Sequence, residues 1–140
     1  KMKEILTALM IWISANTSYN TDYPLPKVVF LSQETMNKMY YKDNEHDPDS
    51  LHGMYDKEND LIILPETWDK WESWDQSVLL HEMIHYYQDQ NGLTFQCTQE
   101  MEKDAWPTQK KYLKTAHNFD WEYDKLWYLM ISSCSDPFNF

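Results

Sequence analysis

The pentapeptide His81-Glu82-Met83-Ile84-His85 constrains this chain more than any other stretch. Residues four apart on an α-helix lie one above the other on one face. Two imidazoles at that spacing can grip one ion, and a glutamate directly after the first can reach the ion's solvent-facing position. Imidazole nitrogen suits Zn²⁺, and a catalytic zinc takes three protein ligands and keeps one position open. The chain must therefore hold a rigid helix through residue 85 and bring a third ligand to it from elsewhere. His81 and His85 are candidate metal ligands, and Glu82 is the candidate general base.

The helix reads clearly from its neighbours. Val78, Leu79, Leu80, Met83, Ile84, Tyr86 and Tyr87 give it enough apolar surface to bury most of it. Ser73 or Asp75 is expected to cap its start, with Gln76 completing a capping box, and Asn91-Gly92 to end it. At roughly 100° per residue, His81, His85 and Gln88 share one stripe while Leu79, Met83 and Tyr86 lie opposite. The spacing thus predicts a metal face cleanly separated from a core face. Candidates for the third ligand lie in Cys97-Thr98-Gln99-Glu100-Met101-Glu102-Lys103-Asp104, where Glu100 and Asp104 share one helical face and Glu102 points elsewhere. Asp104 or Glu100 is also a candidate to accept the second ring N–H of a ligand histidine.

The pairing of His-Glu-x-x-His with a later Glu-x-x-Ala, here Glu102-Lys103-Asp104-Ala105, resembles the gluzincin metallopeptidases. Trp12-Ile13, Pro24-Leu25-Pro26-Lys27-Val28, Leu61-Ile62-Ile63-Leu64-Pro65 and Ser77 to His81, with Gln88, Gln109 and Tyr112-Leu113, resemble small, secreted, uncharacterised bacterial zincin-like proteins. The resemblance implies Glu102 as third zinc ligand and a minimal zincin-like domain spanning residues 1–140. It implies a zinc-dependent hydrolysis of peptide or protein substrates in which Glu82 takes a proton from water and returns it to the leaving amine. It also implies that Asp60 to Leu64, or the strand beside it, accepts an extended peptide by edge pairing. One departure is Pro107, a turn after Glu102, which is expected to remove a helical hydrogen bond and kink or end that helix. The alternative is a non-catalytic or latent zinc-binding module acting through a protein partner.

Length and charge narrow the partners. A chain of 140 residues, 42% hydrophobic and 16% aromatic, fits one compact domain, expected to be a monomer. A formal net charge of -11 with no basic stripe disfavours nucleic acid. Asp43-Asn44-Glu45-His46-Asp47-Pro48-Asp49 lacks the glycine and terminal glutamate of an EF-hand and reads as a polar surface loop. Cys97 and Cys134 allow one disulfide, a thiolate zinc ligand at Cys97, or two buried thiols; spacing and context favour the disulfide, and with it a secreted or periplasmic location. Residues 3–15 read as a packed helix with Ile5, Leu9 and Trp12 inward, their apolar run being too short to span a membrane.

Elsewhere, Lys27 to Leu31 is β-prone, and Gly53 to Asp56 with Asp60 to Leu64 forms a hairpin around Lys57-Glu58-Asn59, stopped by Pro65. A small sheet on helices gives an α+β class. Trp68, Trp71 and Trp74 are expected to cover the core in a helical turn or loop, or to wall the cleft. A terminal helix is expected from Trp121 to Ile131, started by Asn118 or Asp120 and supplying core. His52, His117, Tyr55, Tyr112 and Tyr123 are candidates to bond an oxyanion.

Overall fold

A computed structural model of the chain describes residues 1–41 and 51–134, so the acidic loop from Asp43 to Asp49 lies outside the described residues. Among the described residues, five helices and a three-stranded sheet make a small α+β fold. The strands are β1 (Lys27–Leu31), β2 (Met54–Asp56) and β3 (Leu61–Pro65), in the order β1-β3-β2. β1 runs parallel to β3, with Val28 opposite Ile62, and β2 runs antiparallel to it, with Tyr55 opposite Ile62. The apolar run Leu61-Ile62-Ile63-Leu64-Pro65 therefore becomes the middle strand, buried from Ile62 onward, as an unbroken hydrophobic run should be. That position gives β3 a neighbour on each side, so among the described residues the edges of the sheet belong to β1 and β2.

Helices cover both sides of the sheet. Side chains alternate along a strand: Ile62 and Leu64 join the core built on α3 (Ser73–Gln90), while Ile63 turns the other way, the side met by α2 (Gln33–Tyr41) and its buried Met36. α1 (Met2–Asn16) packs on α3 through Leu6, Leu9 and Ile13. The expected inner face is thus rotated by one residue, with Ile5 and Trp12 partly buried at its margins.

α3 runs for 18 residues, about five turns. Neither Ser73 nor Asp75 caps it. Glu72 occupies the cap position without a side-chain bond, and Asp75 instead accepts from the Asp69 N–H at 2.8 Å while its carbonyl accepts from Trp68 Nε1 at 2.6 Å. Trp68, Trp71 and Trp74, the last already in the first turn of α3, consequently do not form a helical stripe. Trp68 and Trp74 pack on the core, whereas Trp71 is 80% exposed. The far end of α3 follows expectation: Gly92 takes φ 69° and Leu93 N–H reaches back to the Gln88 carbonyl at 3.1 Å.

Pro107 does not end its helix. α4 runs from Glu102 to His117 after a 3-10 turn over Thr98–Met101. The carbonyl that Pro107 leaves without an N–H donor is that of Lys103, and Tyr128 Oη donates to it at 2.5 Å. Tyr128 belongs to α5, which spans only Lys125–Ile131 and is capped by Asp124, whose side chain accepts from the Leu126 and Trp127 N–H groups. The expected start was misplaced because Asn118 is the left-handed end of α4, at φ 52°, and not a new N-cap. Nor does α5 supply core: none of its residues is buried, and Leu126, Trp127 and Leu129 face outward. A Cys97–Cys134 disulfide joins the chain just after α5 to the approach of α4. No helix among the described residues is long and apolar enough to cross a membrane.

With so little burial holding α5, the disulfide is the main fastening of this end. In a Cys97→Ser/Cys134→Ser variant the unfolding free energy from urea titration should fall by about 4 kcal/mol, the chain-entropy value for a closed loop of this length. An unchanged midpoint would show that the link is dispensable.

Candidate metal centre

His81 and His85 project from the middle of α3 towards the first turn of α4. Their Nε2 atoms lie 3.1 Å apart. Glu102, the first residue of α4, meets both, its Oε2 at 2.9 Å from His81 Nε2 and its Oε1 at 2.8 Å from His85 Nε2. One ligand atom from each of the three residues falls within 4.8 Å of the others. The expected ligand triad is thus brought together, and Glu102 rather than Glu100 or Asp104 supplies the carboxylate. Cys97 cannot contribute a thiolate, being bonded to Cys134.

The donors fit a tetrahedral zinc ion. Zinc bonds of 2.0–2.2 Å require ligand atoms roughly 3.3 Å apart, close to the separations here. Moreover, Glu102 Oε2 is buried and lacks a hydrogen-bond partner despite standing 2.9 Å from His81 Nε2. A buried carboxylate oxygen placed for coordination and not for hydrogen bonding is what a cation site needs.

The rings are oriented by amides, where carboxylates were expected. Gln88 Oε1 lies 2.9 Å from His85 Nδ1, and Gln109 Oε1 lies 2.8 Å from His81 Nδ1. Each amide is itself fixed. Gln88 Nε2 donates to the Met101 carbonyl at 3.1 Å and to Tyr19 Oη at 3.2 Å, and Tyr19 donates onward to Asp104. Gln109 Nε2 donates to Ser77 Oγ at 3.0 Å, which donates to the Trp74 carbonyl at 2.6 Å. With both NH₂ groups committed, the facing Oε1 atoms can only accept, so each Nδ1 carries the proton and each Nε2 offers its lone pair to the site. Asp104 acts one step further out, through Tyr19, and Glu100 accepts from the Gln96 N–H instead.

Glu82 lies on the same helix, 7% exposed and outside the ligand set. Burial pushes its carboxyl pKa up and the Glu102 charge adds to this, against the opposing influence of His81 and His85. The backbone of Gly53 sits directly over it, where a Cβ would come within 3.0 Å of Val78 Cγ1 and 3.3 Å of Glu82 Oε2. A side chain at this position would press on both residues, which would have to give way by a few tenths of an ångström.

The clean division of α3 into two faces does not hold, since Ser77 to Leu80 and Glu82 to Gln88 are all buried. The polar stripe is enclosed by α4 and the chain before β2. Among the oxyanion candidates, Tyr55 is occupied by Asp60 and Asp89, and Tyr112 and His117 share Gln76 Oε1. Tyr123 stacks among aromatic rings, and His52 stands edge-on to Trp74 beside Gly53.

Two measurable consequences follow. Replacing Gln88 or Gln109 by Leu frees the ring it orients, and zinc affinity measured by chelator competition should fall about 10- to 100-fold; unchanged affinity would reject the orienting role. The second concerns protons. Burial alone would lower the His81 pKa, but the adjoining Glu102 carboxylate, the charge of Glu82 and the Gln109 bond outweigh it and raise it to about 9 without metal. The same imidazoles hold the Glu102 carboxyl well below the usual range against the effect of its burial. A histidine pKa raised on folding contributes stability that is complete below its unfolded value and lost as pH rises through the folded one. The melting temperature of chelator-treated protein should therefore decline between about pH 7 and pH 10. Excess zinc, which takes the unprotonated nitrogens, should remove that decline.

Comparison with curated proteins and with solved structures finds no match. A family match covers residues 1–137, and so takes in α3, α4, both cysteines and every residue of the centre. The chain belongs to the family described as Domain of unknown function (DUF6647).

Proposed function

We propose that this chain is a zinc-dependent metallopeptidase with a zincin-like site. The observation that carries the reading is the convergence of His81 Nε2, His85 Nε2 and the Glu102 carboxylate, with a buried glutamate on the same helix left out of the ligand set. His81, His85 and Glu102 hold the ion and leave one coordination position for water or substrate. When bound, zinc polarises a scissile carbonyl and makes water acidic enough to attack near neutral pH.

Glu82 then acts as general base and acid. It takes a proton from the attacking water and returns it to the leaving amine. Its raised carboxyl pKa suits both transfers, because a group that ionises too readily holds the proton too weakly to give it back usefully. The close seat of Gly53 keeps the carboxylate in place. β2 begins one residue later and is the edge of the sheet on this side, so its backbone offers an extended peptide the pairing expected of a substrate strand. The disulfide supports an oxidising, extracytoplasmic compartment.

Glu82→Gln should keep one zinc per chain by elemental analysis and lose hydrolysis of a broad peptide library by about 10²- to 10⁴-fold. His81→Ala should lose both. A Gln variant that cuts as fast as the parent protein rejects the assigned role of Glu82.

A further inference from the structure

A row of aromatic rings flanks the helices that carry the centre, and only its first member, Trp74, packs on the main core. Trp74 stands seven residues before His81 on α3, within about 20° of it around the helix and about 10 Å before it along the axis. Trp106 follows Glu102 by one turn of α4. Trp121, from the segment between α4 and α5, fills the space between them, 5.0 Å from the Trp74 ring and 5.3 Å from Trp106. Tyr123 backs Trp121 and Trp106, at 4.9 and 5.1 Å. On the other flank the His52 ring is 6.0 Å from Trp74, and its neighbour Gly53 touches Glu82. The row thus runs from the segment whose Gly53 packs near Glu82 to the turn of α4 that bears Glu102.

The core closes without Trp106, Trp121 and Tyr123, none of which packs on it, and each keeps part of its surface accessible. Ring edges and faces of this kind receive another ring edge-to-face or offset. The outer end of the row already holds a cation: Lys110 Nζ lies 6.0 Å from the Tyr123 ring and donates to the Trp121 carbonyl at 2.5 Å. A basic side chain entering here would meet that ammonium group, even though the chain as a whole is acidic.

We infer that Trp74, Trp106 and Trp121 form the specificity wall of the centre, selecting a peptide with a neutral aromatic or large apolar side chain beside the bond that is cut. The inference rests on the peptidase reading, so its test reads binding and not turnover. Zinc-loaded protein is titrated calorimetrically with acetohydroxamate, 3-phenylpropanohydroxamate and 6-aminohexanohydroxamate, which share one zinc-binding group. The phenyl compound should bind roughly tenfold or more tightly than acetohydroxamate, the value of burying one ring, and the amino compound should gain nothing. Trp121→Ala and, separately, Trp106→Ala should remove most of the phenyl advantage and leave acetohydroxamate affinity unchanged.

Equal binding of the phenyl and methyl compounds by the unaltered protein overturns the wall and leaves the peptidase reading standing, and needs no variant to fold. A preference that survives in both folded variants overturns it as well. If zinc is bound but no hydroxamate binds, the open coordination position is refuted, and the proposal falls with the reading beneath it.

Discussion

Glu102 meets His81 and His85 inside the α3–α4 contact, and this meeting of one carboxylate with two imidazoles away from bulk water governs the rest of the structure. Charges in such a place must be matched by partners, because removing an unpaired ion from water costs several kcal/mol. The site answers with convergent donors and locked ring tautomers. It also explains the burial of α3 on almost every side: a helix free to shift against α4 could not keep two nitrogens and one carboxylate in register.

The use of glutamines around the histidines has an electrostatic logic. Glu102, joined by Glu82 when that carboxyl is ionised, would supply the negative charge that a bound cation needs. A further carboxylate on either Nδ1 would leave the buried centre with excess negative charge, whereas an amide oxygen orients the ring and adds none. The acidic residue that does approach, Asp104, is kept one link away by Tyr19, whose hydroxyl passes the polarity on to Gln88 without the charge.

The C-terminal part is held differently from the rest. α5 contributes no buried residue, yet Tyr128 completes the backbone of α4 where Pro107 leaves a carbonyl free, and the disulfide ties the end of α5 to the turn that delivers Glu102. Covalent and local polar links thus do here what apolar burial does around α3. The same links mount Trp121 and Tyr123 beside the ligand helices.

Much of this was written in local spacing. The four-residue interval fixed His81 and His85 on one helical face, β1 appeared over the residues its branched side chains predict, and Asn91-Gly92 marked the end of α3 because only a glycine turns left-handed there without strain. The choice of Glu102 came from resemblance, since helical spacing alone paired Glu100 with Asp104. That choice turns on where the 3-10 turn gives way to α4, which resets the facing of every carboxylate after it. The caps of α3 and α5 were misread for a related reason: Ser, Asp and Asn cap well in isolation, but Asp75 and Asn118 had other hydrogen bonds to satisfy. By itself the sequence determined which helix carries the two histidines on one face, because periodicity is a property of neighbours along the chain. Only the tertiary structure decided that Gln88 and Gln109 orient the rings, that Gly53 seats Glu82 and that Trp121 stands between two helices, because these depend on distances between residues far apart in sequence.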